Sequence, residues 1–314
     1  MRNFLKCSAV LLLSFTMFAQ TPKTTAPPAP QASAGAGAPS TELLDAYFKR
    51  MFGYDQSLQV KVLHVDPSAI PGLYEVTALF ITPEGQQSSH WYVAQNQKNV
   101  IAGDILPFGA DPFAPARAEL AAKAFGPTVG PADAKMQIVE FADLECPACR
   151  EAQPIMEKLR KDFPQARFIF QSMPLEKLHP WAETAASYLD CIARSSNEQA
   201  FTFIEAVYTH QKDIETDVRK TDVSGDTVVS NAAVTERMRH YTEMAGAAPD
   251  KIQACAESSA TTERIMRSEA LGKSLSVTGT PTLFINGRRV GNPSSAQYEG
   301  LKSVVNFELE QAGK

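Results

Sequence analysis

Leu43, Leu44, Tyr47, Phe48 and Met51 recur at the spacing of one helix face, with Ser40 placed to cap the start and Gly53 to close the end. The period then changes. Residues 58–65, 73–82, 89–94 and 99–106 read as strands, and PSAIPG, PEGQ and NQKN between them as turns. One helix and an antiparallel meander predict a small α+β unit, too small to bury a large core alone, which points to a partner surface. Between residues 111 and 130 Pro, Ala and Gly dominate, around a short helical stretch at 116–124, so this part predicts a connection. Beyond it the apolar run MQIVEFA fits a buried strand, CPACREAQPIMEKLRKDF a helix, and ARFIFQSM a second strand. A long helical stretch from 181 to 271, broken near 222–226 and at Pro249, precedes the strand character of SVTGTPTLFINGRRV and a closing helix. The order predicts an α/β core with a helical insertion.

The start of the chain bears on compartment. Arg2 and Lys6 precede an apolar run at 9–19 that ends in the small residue Ala19, the pattern of an export leader. The run is short of the roughly 20 apolar residues of a membrane span. Met17 leaves the cut site open, and an uncleaved anchor is the alternative. Cys7, directly after Lys6 with almost no apolar sequence before it, does not suit lipid attachment and leaves with the leader. TPKTTAPPAPQASAGAGAPS then reads as a disordered tether. The expected division is a leader at 1–19, a linker at 20–40, an α+β domain at 41–110, a connection at 111–130 and the α/β domain at 131–314, its insertion at about 181–271.

Composition adds constraints. The 314 residues are 44% hydrophobic with a formal net charge of -5, enough for one large or two modest cores. No Lys/Arg cluster interleaves with aromatics, which argues against nucleic acid as a partner. Of five cysteines, four remain after the leader, and an even count in an exported chain points to disulfides.

Cys146 and Cys149 stand in a Cys-x-x-Cys spacing at the predicted start of a helix. A structural zinc needs four ligands, and Cys191, Cys255 and the histidines offer no matching second pair. Covalent haem needs a histidine after the second cysteine, where Arg150 stands. A redox pair explains the placement: unpaired amides and the positive end of the helix dipole favour a thiolate at Cys146, and Pro147 suits the first helical position. Cys146 is thus expected to be the exposed, acidic thiol and Cys149 the resolving one.

Three separated motifs, IVEFADLECPAC, FIFQSMPLEKLHPWAETAA and LGKSLSVTGTPTLFINGRRV, make residues 130–311 resemble the DsbA-like branch of the thioredoxin superfamily. The resemblance implies a thioredoxin fold interrupted by helices and thiol:disulfide exchange with no bound cofactor. It implies that Thr280 and Pro281 form a cis-proline loop whose backbone pairs with a bound substrate chain. Glu140, a charge inside an apolar strand, is costly to bury unpaired; the resemblance makes it the proton acceptor for Cys149, the alternative being a strand-end residue that reaches solvent. Pro154 matches a helix-kinking proline. Asp143 and Glu145 read as solvated residues, and His179-Pro180, though it matches the family, as packing. Pro147 and Ala148 replace the Pro-His of the strongly oxidising member, which implies a weaker oxidant. Relatives often join cysteines at places comparable to Cys191 and Cys255; two buried free thiols are the other reading.

In the N-terminal part, IPGLYEV and WYVAQNQKNVIAGDIL resemble the dimerisation domain of the DsbC and DsbG isomerases, with a longer loop at 83–88. That resemblance implies a homodimer. His64, His90, His210 and His240 are scattered and read as surface or core fillers, and LGKS lacks the upstream glycine of a phosphate loop. The expectation is an exported oxidoreductase, most simply a disulfide-forming oxidase of unfolded or misfolded exported proteins served by a membrane redox partner. A dimeric isomerase or reductase and a non-enzymatic holdase are the rivals.

Overall fold

The computed structural model describes residues 37–82, 85–103, 105, 108–109, 111–221, 227–293 and 298–312. The expected leader and nearly all of the expected linker lie outside the described residues. Helix α1 (Thr41–Phe52) starts where Ser40 accepts a hydrogen bond from the Leu43 amide at 3.3 Å, and ends at Gly53. Such a cap contributes on the order of 1 kcal/mol. Strands β1 (Gln59–Pro67), β2 (Leu73–Thr82), β3 (Gly85–Ala94) and β4 (Val100–Ala102) pair antiparallel in that order. β3 begins at Gly85, not Ser89, because it pairs with β2 as far as Thr82↔Gly85; β4 is correspondingly shorter than expected. Alternation puts Val76, Ala78 and Val93 beneath Leu44 and Phe48 of α1, with Trp91 and Phe80 packed against them.

Helix α2 (Ala114–Lys123) and the short strand β5 (Thr128–Val129) lead into β6 (Gln137–Ala142), α3 (Pro147–Asp162) and β7 (Arg167–Ser172). Six helices follow: α4 (Ala182–Ala193), α5 (Asn197–Thr209), α6 (Gln211–Val218), α7 (Asn231–Met244), α8 (Pro249–Ala256) and α9 (Ser259–Ser274), with a hairpin of β8 (Arg219–Thr221) and β9 (Thr227–Val229) between α6 and α7. β10 (Thr282–Ile285), β11 (Arg288–Gly291) and α10 (Tyr298–Ala312) close the chain. The second sheet runs β11-β10-β6-β7-β5, with β6 and β7 parallel and the other pairs antiparallel. β6 lies at its centre, which is why Ile138, Val139, Phe141 and Ala142 are all buried. Ile138 packs with Met156 and Leu159 of α3 and Leu301 and Val305 of α10. Val139 and Phe141 face the other way, onto Leu120 of α2 and Leu271 of α9.

The inserted helices share one core with the cysteine turn: Leu189, Phe203, Val207 and Met238 belong to the same cluster as Leu144, Cys146, Cys149 and Trp181. Cys191 in α4 is bonded to Cys255 in α8, with a Cα–Cα distance of 6.0 Å. Among the described residues no helix is long and apolar enough to cross a membrane.

Candidate active site

The site is built where β6 ends and α3 begins. The chain turns through Asp143, Leu144 and Glu145, the Cys146 amide donates to the Asp143 carbonyl at 3.1 Å, and Cys146 caps α3 with Pro147 and Ala148 in its first turn. Pro147 is exposed and Ala148 leans on the helical core; Pro154 lies inside α3. Cys146 and Cys149 are free thiols. One part of the sequence reading is corrected here. Cys146 is only 3% exposed, because the loop before β10 crosses over it and its thiol donates to the Thr280 carbonyl at 3.4 Å. The Thr280–Pro281 bond in that loop is cis.

The two thiols are driven apart. A hydrogen bond from Cys149 holds Cys146 down, against the opposing effect of burial, with help from Thr280, the Cys149 backbone N–H and His179, so that its thiol falls from 9.0 to about 6. Burial first, and then Cys146 itself, pushes Cys149 well above its ordinary value, although the Asp143 amide donates to its sulfur at 3.4 Å. The leading cause of the Cys146 shift is therefore its partner thiol, with the Cys149 amide among the smaller contributions. Alkylation of the reduced protein against pH checks this. Cys146 is the thiolate above about pH 6 and the thiol below it, so its labelling should rise through pH 6 and level off, while Cys149 stays unlabelled there. Preferential labelling of Cys149 would overturn the assignment.

Glu140 points from β6 into the α3 side of the sheet and is 2% exposed. Burial raises it to about 7, opposed by the charge of Arg160 and by a 3.3 Å hydrogen bond from Gln153 Nε2. The same Gln153 nitrogen donates to the Cys149 carbonyl at 3.3 Å, so one side chain links the carboxyl group to the second cysteine.

Asp143 and Glu145 are not solvated; they are 2% and 6% exposed. The reason is a set of donors, one from the turn itself and the others from the 175–181 loop. Asp143 accepts from the Glu145 amide (2.8 Å), the Leu175 amide (2.9 Å) and His179 Nδ1 (2.7 Å), and Glu145 accepts from the Trp181 amide at 2.6 Å. Burial raises Glu145 to about 8, the Trp181 hydrogen bond working against it. His179 does more than pack: burial disfavours its charge, but the hydrogen bond and charge of Asp143 outweigh this and raise it above its ordinary value. Gln211, at the start of α6, gives hydrogen bonds to the carbonyls of Leu144 (2.9 Å) and Cys146 (3.1 Å) and receives one from Arg150 at 2.9 Å. Tyr208 donates to the Asp143 carbonyl at 3.1 Å. Sequence spacing carries no signal for Gln211 or Tyr208; the His-Pro pair was the one available signal for His179.

The thioredoxin family model matches residues 124–306, which contain the cysteine turn, the cis-proline loop and the inserted helices. The chain belongs to the thioredoxin family. Its architecture is a thioredoxin-like fold with inserted helices, preceded by a small α+β region. Among curated proteins, this thioredoxin-family chain is 28% identical to Na(+)/H(+) antiporter NhaA 1 of Salinispora arenicola over 177 residues, 56% of this chain and 24% of that protein. It is 22% identical to disulfide bond formation protein D of Bacillus subtilis over 186 residues, 59% of this chain and 77% of that protein. The chain spans about a quarter (24%) of the length of the first curated relatives it matches. Solved structures similar to it include BdbD from Bacillus subtilis (18% identity, TM-score 0.47, covering 59% of this chain and 93% of that one). Another is the thiol-disulfide exchange protein alpha-DsbA2 from Wolbachia pipientis (19% identity, TM-score 0.49, 64% and 99%).

Proposed function

We propose that this thioredoxin-family chain is an exported thiol:disulfide oxidoreductase of the DsbA-like type, acting on unfolded or misfolded exported polypeptides with no bound cofactor. The observation that carries the reading is the asymmetry of the pair: Cys146 poised as a thiolate at a helix N-terminus, Cys149 buried behind it and kept protonated. In the favoured direction a client thiolate attacks Cys146 Sγ of the disulfide form. The Cys146–Cys149 bond breaks, and its electron pair goes to Cys149 Sγ, which takes a proton. A second client thiolate then attacks the client sulfur of the mixed disulfide and Cys146 leaves as a thiolate, so the client loses two electrons and the active pair gains them. A thiol of low pKa leaves faster, which favours this step. Glu140 is the group we assign to exchange the Cys149 proton, because a carboxyl group near pH 7 can both give and take it. Thr280 and Pro281 form the edge that receives the client, and a membrane redox partner restores the disulfide.

Refolding assays separate oxidase from isomerase. The disulfide form should oxidise a reduced client faster than the reduced form recovers a scrambled one. The opposite ranking, in a chain that sediments as a dimer through its N-terminal α+β domain (41–110), would sink the oxidase reading in favour of the isomerase.

A further inference from the structure

β2 and β3 turn Val76, Ala78, Trp91 and Val93 toward α1, so Glu75, Thr77, Ser88 and His90 share the opposite face of the N-terminal sheet. Leu79 and Tyr92 lie on the same face, and it is covered: Thr77 is 5% and His90 3% exposed. Part of its cover is the loop that runs into the cis-proline. Ser88 Oγ donates to the Thr278 carbonyl at 3.0 Å, and His90 Nε2 pairs with the Thr278 hydroxyl at 3.1 Å. Gly279 approaches so closely that a Cβ there would meet Ser88 Oγ at 2.8 Å. Behind His90, the Glu75 carboxylate accepts from Nδ1 at 2.8 Å; His90 stands opposite Thr77, so Glu75 is its diagonal cross-strand neighbour. Thr278 is thereby held at both its carbonyl and its hydroxyl by the N-terminal sheet, two residues before the carbonyl that touches Cys146.

Residues 276–281 belong to no strand, so nothing in the sheet ladder fixes their backbone. A loop that must present one edge to an extended chain binds more tightly when it is ordered beforehand, since the ordering entropy is not charged against binding. We propose that Ser88, His90 and Glu75 are positioning residues: the N-terminal sheet grips Thr278 and holds the 278–280 backbone in the conformation that receives a polypeptide. The proposal rests on the exchange reaction proposed above and gives the N-terminal part a role within one chain.

The test uses the full chain with His90→Phe, which keeps an aromatic ring and removes both nitrogens, and Thr278→Val, which removes the hydroxyl from the other side. Each should raise KM for a reduced unfolded polypeptide about tenfold, the size expected from one lost hydrogen bond, with kcat changed far less. The double variant should be no worse than the worse single one, and amide hydrogen exchange at 276–280 should speed up. An unchanged KM, or single effects that multiply as independent packing losses would, overturns the proposal. Should His90→Phe fail to fold, Ser88→Ala takes its place in the same comparison. If the unaltered chain exchanges with no polypeptide, the functional reading falls, and hydrogen exchange alone decides the grip: faster exchange in the variants supports it, equal exchange refutes it.

Discussion

Cys146→Ser should lower kcat/KM for disulfide exchange with a polypeptide by more than about a thousandfold, roughly 4 kcal/mol of transition-state stabilisation. A hydroxyl does not ionise near neutral pH and cannot form the mixed disulfide, whereas the Cys146 thiol is already down to about 6. Cys149→Ala fails differently. Offered a client that carries a disulfide, this variant keeps Cys146 Sγ to attack one client sulfur while the other leaves as a thiolate, and lacks the thiol that would displace the client, so Cys146-linked client should accumulate on a non-reducing gel. Since Cys149 supplies the leading hydrogen bond to Cys146, the same variant should also move the Cys146 labelling midpoint upward from about pH 6. A double variant that still suppresses client aggregation fully, beside an unaltered chain that oxidises nothing, would replace the enzyme by a holdase.

The thiol pair was legible because its signal is local. A Cys-x-x-Cys spacing after an apolar run, with proline at the first helical position, already sets a sulfur at a helix N-terminus, and Ser40 and Gly53 bracket α1 in the same way. What the sequence could not show depends on residues far along the chain. Asp143 and Glu145 read as solvated because charges in a turn usually are, and apart from the Glu145 amide the donors named for them lie 32 to 36 residues away. Cys146 read as exposed because the carbonyl that covers it is 134 residues distant. His90 read as a filler; its partners are a cross-strand diagonal and Thr278, 188 residues on. β5, β8 and β9 are 2, 3 and 3 residues long, too short for any period to register. The small N-terminal unit pointed to a partner surface, and its sheet face with Ser88 and His90 meets the loop beside the cysteines, a site that no periodicity could specify.

Replacing both Cys191 and Cys255 by alanine should cost about 4 kcal/mol of stability, because the bond closes a loop with a sequence separation of 64 and a chain-entropy estimate for that length gives this size. Two features bear on whether the full value is realised. α4 and α8 meet in the cluster that also contains Leu144, Cys146 and Trp181, so loss of the link loosens the core under the active turn. Against this, the pair is also tied without the bond: Arg194 Nη2 lies 2.9 Å from Cys191 Sγ and 2.8 Å from Cys255 Sγ, and Asp190 is paired with both Arg194 and Arg264. These contacts hold the folded state together, whereas the bond acts chiefly on the unfolded chain, so they do not substitute for it. Urea unfolding should therefore shift to a lower midpoint, while exchange at Cys146 persists at temperatures where the variant is folded. Mild reductant should open Cys146–Cys149 and leave Cys191–Cys255 closed. Peptide mapping under non-reducing conditions that finds Cys191 and Cys255 as free thiols, or an unchanged urea midpoint, would remove the bond from the account of stability and leave the packed helices to carry it alone.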